Sequence, residues 1–307
     1  MTTDTIQTLN ANGVEIAYEI YGDDHAPVIL LIHGLGMPMT AWPIEMVNRL
    51  VEAGFRVLRI DNRDQGHSQK FNHLKMPNVV WQFVKLKLRL PVSAPYPLMD
   101  LTQDTVGALD ALKINSVHVV GASMGGMIAQ LLAIHAPARV KSLTSIMSTT
   151  GSQKIPDPRY DVSQHLMTKP VIKSEADVLA YHVKMWELIA SPGFPTSKID
   201  RESYVKSILH RGVSAEGTTR QLLAIMAAPN RFNDLGKLTM PCQVIHGTSD
   251  PLVRIEGGED TVKAIPGAKQ HFIEGMGHDL PFQLHEKICD LISNHVKTAE
   301  ASLQVAS

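Results

Sequence analysis

One serine lies in a sequence context that favours nucleophilic chemistry. Ser123 stands between Gly121 and Gly125 in a Gly-x-Ser-x-Gly motif, after an apolar run and before a helical pattern. A serine at such a sharp strand-to-helix turn has an exposed hydroxyl that can attack an electrophile. The two glycines leave room for the crowded backbone, because neither carries a Cβ. The motif is short enough to arise by chance, so its surroundings have to support it.

A serine hydroxyl needs a base, and the base needs an acid that fixes its tautomer. His278 follows the last apolar run in a loop where Gly275 and Gly277 leave the backbone free to present an imidazole. Asp250 ends the preceding apolar run. Each of these residues therefore comes just after the carboxyl end of an expected strand. The order nucleophile, acid, base predicts a triad of Ser123, Asp250 and His278.

Several other residues compete for these roles. Asp250 precedes a proline and could simply initiate a turn. Asp279 is next to the base, but an adjacent residue cannot easily fold back onto its neighbour's ring. Asp61 and Asp64 also follow an apolar run and are alternative acids. Of the 14 histidines, three lie in or beside strands, and we interpret them as core residues: His118, His246 and His271. Two more, His285 and His295, belong to the expected last helix.

Attack on a carbonyl would create an oxyanion that needs fixed hydrogen-bond donors. The backbone N–H of Met124, directly after the nucleophile, lies at an expected helix start. A second donor should come from the loop after the apolar run 28–32, and the N–H of Leu35 is our candidate. We interpret His33, at the start of that loop, as a structural residue that shapes the turn.

The elements that position these residues alternate between strand and helix. Continuous apolar runs predict buried parallel strands, and an alternating pattern at residues 14–20 predicts a half-exposed antiparallel strand. We expect helices at residues 41–53 and 124–135, a third capped by Asp100 with Gln103, and a fourth near the C terminus, followed by a frayed tail from Lys297. This rhythm predicts an α/β fold with helices on both faces of the sheet. The expected strands of the sheet are residues 28–32, 57–60, 117–120, 143–147, 243–246 and 270–273.

The alternation stops between residues 148 and 230, where helical patterns occur without a convincing buried strand. Apolar positions in this stretch need covering, so we interpret it as a helical insertion and not as a linker. The predicted organisation is one core domain, residues 1–147 and 231–307, with a helical cap insertion at residues 148–230.

Composition limits the class of protein. The chain has 307 residues, 29 Lys and Arg against 30 Asp and Glu, and 44% hydrophobic residues, which is typical of a globular protein and gives no sign of nucleic-acid binding. Cys242 and Cys289 are expected to be structural. The first eight residues lack the features of a secretory signal, and no apolar run reaches about 18 residues, so we expect a cytoplasmic protein. No zinc-ligand spacing is present, and we expect no metal or cofactor.

These motifs together resemble the α/β-hydrolase superfamily over residues 14–295. Within it, the chain is similar to serine esterases of the aclacinomycin-methylesterase-like group. The resemblance rests on residues 33–36, 61–68 and 121–126, and on the loops that end in Asp250 and His278. It implies a mostly parallel eight-stranded sheet, a cap over the active site and a bracing role for Arg63. It also implies the catalytic roles of Ser123, Asp250 and His278, with Leu35 and Met124 as oxyanion donors.

The segment of residues 78–90 looks longer than the equivalent stretch of the antibiotic methylesterases. Basic and apolar residues alternate here, which fits either a membrane-touching element or a solvated face beside a packed one. We favour the second interpretation and do not expect membrane contact. Trp81 and Phe83 either line the pocket or pack in the core. A set of Met and Trp residues is a candidate acyl pocket: Met37, Met39, Trp42, Met124, Met127, Met185 and Trp186.

The leading hypothesis is a carboxylic ester hydrolase for short- to medium-chain esters, acting through an acyl-enzyme. The expected partner is therefore a small-molecule ester, and a homodimer stays open. Lactone hydrolysis, C–C bond hydrolysis and perhydrolysis use the same triad and are alternatives. From another class, some proteins with this fold bind small molecules without turnover, and they usually lack one member of the triad.

Overall fold

The computed structural model describes residues 6–168 and 173–306. Its strands form one eight-stranded sheet in the order β1-β2-β4-β3-β5-β6-β7-β8. The first three strands of this order pair antiparallel and all other neighbours pair parallel, so the predicted mostly parallel sheet is confirmed. The strands are β1 (Gln7–Ala11), β2 (Val14–Tyr21), β3 (Val28–Ile32), β4 (Arg56–Ile60), β5 (Val117–Ala122), β6 (Val140–Ile146), β7 (Cys242–Gly247) and β8 (Lys269–Ile273).

Helices connect the strands, and the described ones are mostly two to four turns long. None of these described helices combines the length and apolar character needed to cross a bilayer. Short 3-10 turns occur at Met39–Ala41, Pro137–Arg139 and Phe282–Leu284. The α-helices are α1 (Ile44–Glu52), α2 (Val79–Lys87), α3 (Leu98–Ala111), α4 (Met124–His135), α5 (Tyr160–Met167), α6 (Glu175–Ile189), α7 (Lys198–Gly212), α8 (Ala215–Ala227), α9 (Phe232–Leu235), α10 (Ile255–Ala264) and α11 (His285–Ala306).

Both faces of the central strands are buried, as their continuous apolar sequences predict. Leu30 of β3 and Val119 of β5 pack in one core cluster with α4 residues. Leu31 and Val120, one position further along each strand, pack in a second cluster with α1 and α11 residues. Since successive side chains of a strand point to opposite faces, two layers of helices are needed to cover the sheet. The strands are thereby fixed, and their carboxyl ends form one rim.

Strand β1 was not predicted from the sequence, because its residues show no apolar run. The turn after it carries the missing signal. Asn12 and Gly13 both have positive φ, and Ala11 pairs with Val14 across them. An Asn-Gly pair is typical of a two-residue hairpin, whose turn requires that backbone conformation.

Two terminal features of helices differ from the expectations. Helix α3 begins at Leu98 after Pro97, so the predicted cap at Asp100 is wrong. The Asp100 carboxylate instead accepts a hydrogen bond from Arg63 Nη1 at 2.9 Å. Arg63 also binds Asp104 through two nitrogens, at 2.6 and 2.7 Å, which confirms its bracing role. A hydrogen bond between an arginine and a carboxylate is stronger than one from a neutral backbone N–H, so the Asp100 side chain pairs with Arg63.

The predicted fraying from Lys297 is also wrong, because α11 continues to Ala306. Glu300 lies in this last part and accepts hydrogen bonds from Lys141 at 2.7 Å and from the buried His118 ring at 2.8 Å. Lys141 and His118 belong to neighbouring strands of the sheet. The tail is therefore anchored by contacts that its own polar sequence does not indicate.

Between β6 and β7 lie five helices, α5 to α9, and no strand occurs in the described parts of residues 148–230. Helices α6 and α7 pack with the rings of Trp186 and Tyr204 edge to face, 5.0 Å apart. Residues 169–172 of the insertion lie outside the described residues, as do residues 1–5, on which part of the expectation about a secretory signal depends. The division into core and cap stays a prediction at this point.

Candidate active site

Ser123 lies at the turn between β5 and α4, with φ 56° and ψ −120°. A serine rarely adopts this conformation, and such a residue costs about 1–3 kcal/mol unless its surroundings hold it. The backbone is held on both sides. The N–H of Ser123 donates to the carbonyl of Ile146 at 2.9 Å, and its own carbonyl accepts from Gly126 N–H at 2.9 Å. The hydroxyl of Ser148 donates to the same carbonyl at 2.8 Å.

The two glycines of the motif are required by contact distances. A Cβ on Gly121 would lie 2.1 Å from the carbonyl oxygen of Gly125. A Cβ on Gly125 would lie 2.1 Å from the carbonyl oxygen of Ile32, at the end of β3. Both distances are far inside van der Waals contact, so the steric reason inferred for these glycines is confirmed. The turn brings the start of α4 close to the neighbouring strand end.

Three side chains from three strand ends form a hydrogen-bonded row. His278 Nε2 lies 2.9 Å from Ser123 Oγ, and His278 Nδ1 lies 2.7 Å from Asp250 Oδ2. The imidazole and the carboxylate are both buried. In this arrangement the ring can take a proton from the hydroxyl, while the carboxylate holds the other nitrogen in its protonated form.

Asp250 is itself oriented by the loop that follows it. Its second oxygen, Oδ1, accepts hydrogen bonds from the N–H groups of Leu252 and Val253, both at 2.9 Å. His246 Nε2 lies 3.5 Å from Oδ2 and 2.8 Å from the carbonyl of Val253. Burial lowers the pKa of His246, which favours its neutral form. The carboxylate therefore faces donors on one side and the His278 ring on the other.

The alternative acids have other partners. Asp61 accepts a hydrogen bond from Met39 N–H at 2.6 Å and another from Arg211 Nε at 3.1 Å. Asp64 accepts hydrogen bonds from Arg220 of α8 at 2.7 and 2.9 Å. Although burial acts to raise the pKa of Asp64, the hydrogen bond from Arg220 holds it below the usual value. Both aspartates thus connect the core to arginines of the inserted helices, while Asp250 binds His278.

The loop after β3 passes directly beside the serine. A Cβ placed on Gly34 would lie 3.1 Å from Ser123 Cβ and 3.6 Å from Ser123 Oγ. Hydrogen bonds of the residues before and after this close contact hold the loop in place. The buried ring of His33 lies 3.1 Å from the carbonyl of Ile60, and Gly36 N–H donates to Gln221 Oε1 of α8 at 2.9 Å. Leu35 lies between these two anchors.

The histidine loop is fixed by the segment that follows α6. His278 N–H donates to the carbonyl of Ile189 at 2.8 Å, and Gly277 N–H donates to Ser191 Oγ at 2.8 Å. The Ser191 hydroxyl in turn donates to Asp279 Oδ1. Neither Ser191 nor Gln221 was predicted from the sequence. No local pattern marks either residue, because each one acts on a loop more than 80 positions away.

We predict a pH effect on stability from Asp279. Burial raises the pKa of this carboxyl to about 6, against the opposing hydrogen bond from Ser191. Between pH about 4 and 6 the native state therefore holds this proton more tightly than the unfolded chain, so the contribution of Asp279 to stability falls as the pH rises. Urea unfolding gives the free energy of unfolding of the wild type and of Asp279→Asn at each pH. The value for the variant minus that for the wild type should be about 2–3 kcal/mol larger at pH 7 than at pH 4.

The comparison of the two proteins isolates this carboxyl, because the other titrating groups are common to both. A difference between their unfolding free energies that stays constant from pH 4 to pH 7 would contradict the prediction.

The candidate pocket residues occupy separate places. Trp42 is buried in the core cluster that includes α1 and α11 residues, and Met127 is buried in the other cluster beside Met124. Trp186 packs against the ring of Tyr204 on the next helix. Trp81 lies at the surface with 53% of its area exposed. Their role as substrate contacts stays a prediction.

Comparison with known proteins agrees with this architecture. A family model described as the alpha/beta hydrolase fold matches residues 27–201, more than half of the chain. A rhodomycin D methylesterase of Streptomyces sp. (strain C5) is 28% identical over 298 residues, which cover 91% of this chain and 93% of the relative.

Two further matches have different activities in their names. A 2-hydroxy-6-oxononadienedioate/2-hydroxy-6-oxononatrienedioate hydrolase of Dechloromonas aromatica (strain RCB) is 25% identical over 261 residues, 81% of this chain and 80% of the relative. The crystal structure of the enol-lactonase from Burkholderia xenovorans LB400 superposes with a TM-score of 0.70 at 23% identity, covering 95% of this chain and 100% of that one.

Proposed function

Since this chain belongs to the α/β-hydrolase fold family, we propose that it hydrolyses carboxylic esters through an acyl-enzyme formed on Ser123. The observation that carries the proposal is the row of hydrogen bonds from Ser123 through His278 to Asp250. A buried carboxylate, an imidazole and a strained serine in this order are the parts that acyl transfer requires.

The proposed reaction has two similar halves. Ser123 Oγ attacks the ester carbonyl carbon while its proton passes to His278 Nε2. The tetrahedral intermediate collapses, the C–O bond to the alcohol breaks, and His278 returns the proton to the departing oxygen. A water molecule then attacks the acyl-enzyme with His278 again as the base, and the acid and free Ser123 are released. Asp250 stabilises the imidazolium that forms in both halves.

The proposed oxyanion donors are the backbone N–H groups of Leu35 and Met124. Two observations support this role. Met124 is the first residue of α4, where an N–H group has no partner within its own helix. Leu35 follows Gly34, whose missing Cβ lets the loop approach Ser123. A fixed donor of this kind typically lowers the barrier by about 2.7–4 kcal/mol.

We further propose that residues 148–230 are a cap over this site. Contacts between the inserted helices and the loops beside the serine support the assignment. Tyr204 of α7 donates its hydroxyl to the carbonyl of Ala41 at 2.9 Å. Gln221 of α8 accepts from Gly36 N–H, and the segment after α6 binds the histidine loop through Ser191. A cap joined to both loops would orient them and limit the access of water.

The similarity to a methylesterase supports ester hydrolysis, and the proposed substrates are short- to medium-chain esters. A series of p-nitrophenyl esters from acetate to palmitate tests this proposal. We expect kcat/KM to be highest for acyl chains of two to eight carbons and at least about tenfold lower for palmitate, which is a loss of about 1.4 kcal/mol of transition-state binding. Turnover restricted to the longest chains would contradict the proposed substrate class.

Hydrolysis of a C–C bond is a second candidate, favoured by the similarity to the 2-hydroxy-6-oxononadienedioate hydrolase. The same triad could serve both reactions. The substrate named for that relative can be assayed beside the ester series, with Ser123→Ala as the control for each. A kcat/KM for this compound above that of every ester would replace ester hydrolysis as the assigned function.

A further inference from the structure

Helix α2 has an unusual distribution of apolar and polar residues. Val80, Trp81 and Leu88, the last at its C-terminal end, are 64%, 53% and 62% exposed. Its one buried residue is a glutamine, Gln82, whose Oε1 accepts a hydrogen bond from Ser93 N–H at 2.8 Å. A surface helix of a globular protein normally buries its apolar face and exposes its polar one. Helix α2 departs from this pattern at Val80, Trp81 and Leu88, while Phe83, Val84 and Leu86 are half-buried.

The exposed apolar residues lie close together along the chain. Trp81, Lys85 and Leu88 follow one another at helical spacing, so they share one face of α2. Two more exposed apolar residues flank the helix in the sequence, Met76 before it and Leu90 after it. Five of the twelve large apolar residues that are exposed in the described part of the chain thus fall within residues 76–90. The sequence-based expectation that this segment has a packed apolar face is wrong for Leu88 and Leu90.

The same region is strongly basic. Residues 65–99 contain no Asp or Glu, while the rest of the chain has 24 Lys and Arg against 30 acids. Lys70 donates to the carbonyls of Gly66 and Ser68, and Lys87 pairs with Asp157 at 2.5 Å. The five cations of this stretch are Lys70, Lys75, Lys85, Lys87 and Arg89. No carboxylate of a described residue forms an ion pair with the remaining three, Lys75, Lys85 and Arg89.

We propose that residues 75–90 bind the surface of an anionic lipid bilayer. Trp81, Leu88 and Leu90 would enter the boundary between headgroups and acyl chains, while the cations bind the lipid phosphates. Trp is well suited to this depth because its ring is amphipathic. The positive charge of this surface favours an anionic bilayer over a second copy of the chain as its partner. A second copy of the chain, docked symmetrically, would place like charges against each other, whereas an anionic bilayer neutralises them.

Flotation with lipid vesicles tests the proposal on the full chain. One vesicle is pure phosphatidylcholine, and the other contains one quarter phosphatidylglycerol. We expect binding to the anionic vesicles to be at least about tenfold stronger, and to weaken in 0.5 M salt, because each surface cation contributes about fivefold to such binding. The double variant Lys85→Gln, Arg89→Gln should lose about 25-fold in affinity for the anionic vesicles.

The apolar contribution is measured with Leu88→Gln, which should also weaken vesicle binding. The matched control is Ile199→Gln on α7, because Ile199 is likewise an exposed apolar residue but lies far along the chain from α2. This control should bind as the wild type does. Hydrolysis of soluble p-nitrophenyl acetate should be the same in Leu88→Gln and in Ile199→Gln, which shows that both variants fold. Trp81 fluorescence should shift to the blue on anionic vesicles, and Trp81→Phe should abolish the shift.

Three results would overturn the proposal. The first is no binding to either vesicle, and the second is equal binding to both. The third is a concentration-dependent dimer, lost in Leu88→Gln, in a protein that ignores vesicles. This last result would assign the surface to a second copy of the chain.

Discussion

Ser123→Ala is expected to lower kcat for ester hydrolysis by about 10⁶-fold, the loss typical of a deleted serine nucleophile. The hydroxyl that would attack the substrate lies 2.9 Å from the His278 ring, and alanine leaves nothing that could form the acyl-enzyme. Steady-state rates with the best p-nitrophenyl ester measure the effect. Retention of more than about one hundredth of the wild-type kcat would contradict the assigned nucleophile.

A glycine at the same position separates chemistry from strain. Position 123 has φ 56°, which alanine tolerates as poorly as serine but glycine adopts freely. Ser123→Gly should therefore be as inactive as Ser123→Ala, while its free energy of unfolding exceeds that of Ser123→Ala by about 1 kcal/mol. Urea unfolding of both variants provides the comparison. Equal stabilities would show that the turn is not strained.

Asp250→Asn is expected to lower kcat by about 10⁴-fold while the fold stays intact. The reason is the orientation of the new amide. Oδ1 of residue 250 accepts from the N–H groups of Leu252 and Val253, so the amide oxygen must take that side. Its NH₂ group then faces His278 Nδ1 and forces that nitrogen to accept. The proton moves to Nε2, which can no longer take a proton from Ser123.

The matched control is Asp279→Asn, which removes a second buried carboxylate next to the base. Asp279 accepts from Ser191 and not from the His278 ring, so this variant should stay within about tenfold of the wild-type kcat. The same large loss in both variants would contradict the specific role of Asp250.

Much of the core was predictable because its signals are local. A continuous apolar run such as residues 28–32 identifies a buried strand, since only a strand covered on both faces can use it. The end of each run then locates a residue on the rim of the sheet. Gly121 and Gly125 could be explained before the structure was known, because the clash that excludes a Cβ belongs to the turn itself.

The features that sequence reasoning missed depend on distant contacts. Ser191 and Gln221 have no distinguishing neighbours, and their roles appear only when the inserted helices reach the core loops. The tail of α11 is helical because Glu300 meets Lys141 and His118. A local pattern cannot contain a contact between residues more than 80 positions apart, so these features required coordinates.

The most direct test of the account is covalent labelling with a fluorophosphonate ester, followed by mass spectrometry of the digested protein. One adduct per chain is expected, on Ser123, formed at the same rate as esterase activity disappears. An adduct on another residue accompanying that loss, or undiminished ester hydrolysis by a protein fully modified at Ser123, would contradict it.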